Sequence, residues 1–171
     1  MKNRNDLAKH FASLGFNRGA EIGVLGGTYS IILSQANPDL QLDCIDIWNR
    51  PGKYEEAQIR LAPYKATLIK KDSVEASRDY TDGELDFVYL DAAHDFDNIM
   101  KDILFWTPKV RKGGIVGGHD YDNSPDCGVK DAVDIFVKWH NFELTVLPEP
   151  DHQWITRSGQ PSNALTWYFV K

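Results

Sequence analysis

The sequence predicts an α/β protein, a mostly parallel sheet with helices on both faces and one antiparallel strand. Three observations carry this. Short apolar runs alternate with stretches whose apolar residues recur at three and four, the pattern of successive βα units. The first run, Gly19–Val24, ends in a glycine turn, Gly23-Val24-Leu25-Gly26-Gly27, that opens a helix over Thr28–Ala36. The last two runs, Glu143–Leu147 and Leu165–Val170, have no helical pattern between them. Strands joined without a crossover helix pair antiparallel.

Each element has its own signal. Leu7, Phe11 and Leu14 make a short helical face ahead of Gly15. Asn37-Pro38 breaks the helix after the first strand, and Leu40–Asp46 is the second strand. Lys53–Ala62 is a weak helix and Ala66–Lys70 the third strand. Leu85–Asp91, rich in Phe, Val, Tyr and Leu, is the fourth. Phe96, Ile99, Met100, Ile103 and Leu104 form an amphipathic helix closed by Pro108 and Gly113-Gly114. Ile115–Asp120 is the fifth strand, and Val129, Ala132, Val133, Phe136 and Val137 give the last helical face, near whose end His140 has no assigned role. The connection Pro148–Asn163 is long, and its His152-Gln153-Trp154 reads either as a cover over a substrate or as part of an extra hairpin with a strand at Trp154–Arg157.

The 171 residues fit one domain, 1–171, and 42% hydrophobic with 26% charged residues is the balance of a soluble globular protein. A net charge of -6 argues against a nucleic-acid partner, which needs a basic face. Met1–His10 is polar with no signal-peptide core, and no run spans a bilayer, so a cytoplasmic protein without a membrane partner is expected. Cys44 and Cys127 are far apart and form no CxxC pair, which reads as two reduced thiols, with Cys44 as core filler.

Glu21 is the informative residue. It stands at the tip of the first strand, beside the glycine turn. A dinucleotide sets its pyrophosphate there, on the helix N-terminus, and a carboxylate repels it. A ligand with an ammonium and a sulfonium is attracted instead, and S-adenosylmethionine carries both. The glycines agree. A dinucleotide fingerprint reads GxGxxG, whereas Gly23 is followed here by Val24-Leu25, then Gly26-Gly27, and Thr28 takes the last glycine position.

Polar residues end every later strand of the parallel set: Asp46, Asp72, Asp91 and His119-Asp120. Any one of them can be a helix N-cap; the set together points to a ligand cleft. An acid at Asp46 suits a ribose diol, since a carboxylate accepts two hydroxyl hydrogen bonds. Trp48 reads as a cover for adenine or as packing under a loop. Asp72-Ser73 reads as a contact to the adenine amino edge or as the cap of a short helix through Ser77.

On these residues the chain resembles the class I S-adenosylmethionine-dependent methyltransferases over nearly its whole length. A longer stretch narrows the likeness: Asp91-Ala92-Ala93-His94-Asp95, then Asp102, Trp106 and Pro108, then Gly113-Gly114-Ile115-Val116-Gly117-Gly118-His119-Asp120. It is similar to a small single-domain subgroup that often has Asp-Gly-Asp-His where this chain has Asp91-Ala92-Ala93-His94, and the acid replaced at Ala93 counts against metal ligation. The resemblance implies a Rossmann-like methyltransferase fold of seven strands in the order 3-2-1-4-5-7-6, the last antiparallel. It implies that Glu21, Gly23 and Asp46 hold the cofactor and that the fourth and fifth strand ends face the substrate. The candidate cofactor-binding set is Glu21, Gly23, Gly26, Gly27, Ser30, Asp46, Trp48, Asp72, Ser73 and Asp91.

Methyl transfer needs an oriented acceptor and a way to take its proton. A hydroxyl is a weak nucleophile without a base or a metal. Asp91, His94, His119 and Asp120 are the candidate catalytic residues: a histidine beside a carboxylate for a base, or Asp91, His119 and Asp120 around Mg²⁺ or Mn²⁺. In the structural alternative, His94 caps the following helix and His119 bonds a loop carbonyl. The expected activity is methylation of a small-molecule acceptor, foremost a hydroxyl, with a sugar suggested only by the resemblance. Two other readings stand beside it. A non-catalytic S-adenosylmethionine-binding protein has no use for Asp91 and His119, and a nicotinamide-dependent oxidoreductase is disfavoured by Glu21 and Thr28.

Overall fold

A computed structural model describes residues 1–125, 127–148, 154–155, 161–162 and 164–171, with residues 154–155 and 161–162 given by their backbone. Five parallel strands come first: β1 (Arg18–Ile22), β2 (Gln41–Asp46), β3 (Ala66–Lys70), β4 (Leu85–Leu90) and β5 (Val110–Tyr121). They alternate with helices α1 (Arg4–Ser13), α2 (Thr28–Ala36), α3 (Lys53–Leu61), α4 (Ser73–Ser77), α5 (Phe96–Trp106) and α6 (Val129–His140). After β6 (Leu144–Leu147) come two short strands, β7 (Trp154–Ile155) and β8 (Pro161–Ser162), which pair only with each other, and then β9 (Leu165–Val170). The main sheet runs β3-β2-β1-β4-β5-β9-β6, with β9 antiparallel to both neighbours. With the small hairpin set aside, this is the expected order 3-2-1-4-5-7-6.

Both faces of the sheet are covered, which is why its central strands read as continuous apolar runs. Along β4 the side chains alternate between two cores. Val88 and Leu90 join Ile22, Val116, Ile103, Trp106 and Val133 under α5 and α6. Phe87 and Tyr89 join Leu7, Phe11, Leu33 and Cys44 under α1 and α2, where the Phe11 and Phe87 rings stack at 4.2 Å. Each fully buried Leu, Ile, Val or Phe contributes about 1.5–3 kcal/mol, so these two layers hold the strand ends in place.

Several strand and helix ends shift by one residue from the sequence reading, and two boundaries shift by more, for local reasons. β1 stops at Ile22 because Gly23 turns to φ +92° and leaves the strand. β5 begins at Val110, five residues before the expected Ile115, because Val110 already pairs with Leu85 of β4 across a shift in register; Gly113 and Gly114 then bond to Lys171, the Gly113 N–H donating to the Lys171 carbonyl at 2.8 Å and the Lys171 N–H to the Gly114 carbonyl at 2.9 Å. The expected hairpin strand Trp154–Arg157 is seen at Trp154–Ile155; its remainder, with His152 and Gln153, lies outside the described residues. Among the described residues no helix is long and apolar enough to cross a membrane.

Candidate active site

The carboxyl ends of β1 to β5 open onto one cleft of about 1020 Å³, the place where open parallel sheets receive ligands. Its floor is the β1–α2 turn. Glu21 is 1% exposed, and the Ser30 hydroxyl donates to its Oε2. Burial lifts its acid to about 8 against the pull of that hydrogen bond. Gly23 is irreplaceable on two counts: its φ of +92°, and the position of an added Cβ, 2.1 Å from the Asp91 carbonyl oxygen. Glu21, Gly23 and Gly26 line the cleft. Gly27 and Ser30 do not. Gly27 turns the chain into α2 with φ +78°, and Ser30 backs Glu21 from that helix.

β2 delivers Asp46, whose two oxygens each accept one backbone N–H: Oδ2 from Leu25 at 2.8 Å and Oδ1 from Trp48 at 2.7 Å. The carboxylate is thereby fixed, and each oxygen keeps a lone pair for a hydroxyl. Trp48 packs under its loop, with Nε1 donating to the Leu25 carbonyl at 2.8 Å and its ring edge-on to Tyr54 at 4.8 Å; it also reaches the cleft wall. Asp72 caps α4, its Oδ1 accepting from Val74 and Glu75 at 3.0 and 3.2 Å. The Ser73 hydroxyl is taken up by Asp102.

At the β4 and β5 ends stand Asp91, His94, His119 and Asp120, all on the cleft wall. His94 Nε2 lies 3.0 Å from Asp120 Oδ2 and 3.8 Å from Asp91 Oδ1, and His119 Nδ1 lies 3.5 Å from the same Asp120 oxygen. Asp120 has φ +56°, a strained value for a non-glycine residue, and this breaks the strand alternation that would turn its carboxylate away from His119. Hydrogen bonds to Asp120 and Asp91 raise the His94 imidazole to about 10. Burial works to raise the Asp120 acid, but the hydrogen bonds from His119 and His94 outweigh it and hold it below the ordinary carboxylate range. Asp91 is pushed up by burial. His94 is not the cap of α5; Asp95 is, accepting from the Asn98 N–H at 3.1 Å. The backbone carbonyl of His119 accepts from the buried Trp167 indole at 3.1 Å, which ties this strand end to β9.

The metal set chosen from sequence was Asp91, His119 and Asp120. The structure instead converges Asp91, His94 and Asp120, each offering a ligand atom within 4.8 Å of the others. Carboxylates with one imidazole suit a divalent cation such as Mn²⁺, which would have to displace the proton that His94 carries at neutral pH.

Among the cleft residues to which sequence reasoning assigned no role are Arg4 and Asp102. Arg4 reaches in from α1, with its guanidinium 3.9 Å from Asp91 and over the Tyr29 ring at 5.4 Å. Nothing in the sequence near Arg4 marks it. Asp102 carried a signal: an acid inside the apolar stripe Ile99, Ile103, Trp106 of an amphipathic helix is a buried polar group in need of a reason.

The fold is similar to that of several solved methyltransferases. The O-methyltransferase TomG from Streptomyces achromogenes, involved in tomaymycin synthesis and solved with S-adenosylmethionine, is 21% identical, with a TM-score of 0.70 over 98% of this chain and 79% of its own. An O-methyltransferase from Bacillus cereus, in complex with S-adenosylhomocysteine, is 16% identical, with a TM-score of 0.70 over 98% and 80%. A precorrin-6y C5,15-methyltransferase from Geobacter metallireducens is 15% identical, with a TM-score of 0.73 over 98% and 88%. No curated protein sequence matches the chain. The family model described as a methyltransferase domain matches residues 20–121, from the first strand through the fifth and across the whole cleft floor, and the chain belongs to that family.

Proposed function

We propose that this protein transfers a methyl group from S-adenosylmethionine to a hydroxyl of a small molecule, foremost a sugar or sugar-containing metabolite. One observation carries the reading: Glu21, Gly23 and Asp46 open onto the same cleft as a cluster of two histidines and two carboxylates. When bound, S-adenosylmethionine supplies an electrophilic methyl group on a sulfonium. Glu21 faces the ammonium and Asp46 the ribose diol. Asp120 stays ionised and orients the acceptor, His119 takes the hydroxyl proton, and His94, holding its own proton, fixes Asp120. Asp91, His94 and Asp120 are the residues that would hold a divalent cation, whose chemistry there is to acidify the acceptor hydroxyl.

Calorimetry tests the cofactor. S-adenosylhomocysteine should bind in the micromolar range, about -8 kcal/mol, and Glu21→Ala should weaken it without loss of fold. Tight NAD binding with no S-adenosylhomocysteine binding ends the reading. With an acceptor in hand, His119→Ala and Asp91→Ala should each cut turnover by about a hundredfold, and near-normal turnover in both removes the cluster from the chemistry. A chelator separates the two modes: activity lost and then restored by Mg²⁺ or Mn²⁺ assigns the cluster to a metal, and chelator-resistant activity assigns it to proton transfer.

A further inference from the structure

We infer that the outer face of α6 is where two copies of this chain meet, about a twofold axis that passes between Asp134 and Ile135 and pairs Asp131 of each copy with Lys138 of the other. The inference is independent of the cofactor reading.

α6 has two faces. Val129, Ala132, Val133, Phe136 and Val137 are buried in the core that α6 shares with α5 and the sheet. Asp131, Ile135, Lys138 and Trp139 follow one another at i, i+4, i+7 and i+8, so they lie together on the outward side. All four are exposed, Ile135 by 54% and Trp139 by 84%, and Trp139 is the most exposed large apolar side chain among the described residues. A lone exposed apolar residue needs no reason. An Ile and a Trp one turn apart on a regular helix form a patch, and such patches mark contact sites. α5 runs beside α6, its Phe96 against Gly128 at the head of α6, and its exposed Phe96 and Leu104 add apolar surface there. Packed in a partner, one Trp side chain takes about 150–250 Å² out of water.

The charges identify the partner. Lys130 and Asp134, on the flank of the helix, pair with each other at 2.5 Å, and Asp134 also accepts from the Tyr121 hydroxyl at 2.7 Å. Asp131 and Lys138 form no ion pair among the described residues. Seven residues separate them, about 10.5 Å along the helix, too far to meet each other. A partner that fits this face needs an apolar centre, a cation opposite Asp131 and an anion opposite Lys138. A second α6 laid antiparallel offers that arrangement, with its acid at the head, its base at the tail and Ile135 between. The twofold axis makes each contact twice. The two Ile135 side chains meet at the axis, an ion pair closes each end, and each Trp139 lies over the first turn of the other helix. The apolar side chains supply the affinity, and the ion pairs at the rim fix register and direction. No residue of α6 lines the cleft, so the site stays open in both copies.

Sedimentation equilibrium on the intact protein tests this at about 100 μM, above the micromolar dissociation constants of the weaker specific interfaces. The wild type should show twice the 19.4 kDa of one chain, and the mass of a single chain overturns the proposal. Trp139→Ala should weaken the dimer by about tenfold or more; the side chain lies outside the core, so the fold should be kept. Asp131→Lys sets lysine against lysine at both ends, and Lys138→Asp sets aspartate against aspartate. Each should weaken the dimer by about tenfold, and the two together should return it to within about threefold of the wild type. A dimer unchanged by Trp139→Ala and by both single reversals sits on another face and overturns the proposal. A double reversal no tighter than the single ones overturns it as well. If a reversed variant does not fold, Ile135→Cys decides. Its two thiols meet at the axis and should form a disulfide between copies under mild oxidation, whereas the wild type, with only Cys44 and Cys127, should not cross-link. Absence of that cross-link overturns the proposal.

Discussion

At neutral pH Glu21 is a neutral acid in the unliganded cleft, because burial has lifted it to about 8. The charges around it are mixed: Asp91 and Asp46 push the acid up further and Arg4 pulls it down. An ammonium group brought against it favours the ionised form, so binding must expel a proton. S-adenosylhomocysteine should therefore release close to one proton at about pH 7 and much less at about pH 9, where Glu21 has already ionised. Titrations in buffers of different ionisation enthalpy read this directly. Glu21→Gln should abolish the release, and an undiminished release in that variant would assign the proton to another group. Glu21, Gly23 and Asp46 were legible in the sequence because a strand end and a glycine turn are local patterns. Asp102 stood in the sequence only within the stretch that carries the resemblance, and its pairing with Ser73 was hidden because Ser73 lies on another element. The pairing of His94 with Asp120 was hidden because it depends on a backbone angle at Asp120 that no residue type announces.

The β1–α2 turn is the element on which the cleft depends. Gly23 N–H donates to the Ile45 carbonyl at 2.9 Å and the Asp91 N–H to the Ile22 carbonyl at 2.8 Å, so the first turn locks three strand ends together. Gly23→Ala places a Cβ against the Asp91 carbonyl and forces a side chain into a left-handed backbone. It should cost at least about 2 kcal/mol in urea unfolding and weaken S-adenosylhomocysteine by more than tenfold; a variant of wild-type stability and affinity would mean that the turn is plastic. Most elements were readable because apolar period decides them. β4 is buried on both faces and reads as a continuous apolar run, and α5 buries the face that matches its spacing. The start of β5 was not, since Val110–Gly114 contain two glycines, a shift in register follows the pairing of Val110 with Leu85, and Gly113 and Gly114 bond to the distant Lys171. The place of β9 between β5 and β6 came from family resemblance; its antiparallel direction alone followed from the short connection.

For the whole molecule, the cleft makes stability a function of pH. Glu21 and Asp102 have folded acids lifted to about 8 and about 6, and the His94 imidazole is lifted to about 10. In each case the native state holds a proton that the unfolded chain releases at lower pH, so unfolding gives up protons and stability falls as pH rises. For Glu21 the loss runs from its unfolded value near 4.5 up to about 8. For Asp102 it runs from 3.8 to about 6, and for His94 from 6.5 to about 10. Asp86 and Asp120 act in the opposite sense: their acids lie below 3.8 when folded, so the stability they contribute is present above that value and lost only in acid. The ligand-free protein should thus be most stable near pH 5 and melt at progressively lower temperature toward about pH 9. Glu21→Gln should flatten the slope between about pH 5 and 8, and His94→Gln the slope above about pH 7. Saturating S-adenosylhomocysteine should leave its largest stabilisation at the alkaline end, where Glu21 needs no deprotonation before it can meet the ligand's ammonium. Calorimetric melting temperatures across that range decide it. A melting temperature that rises from pH 5 to pH 9 without ligand would mean that the three cleft groups do not hold their protons in the folded protein.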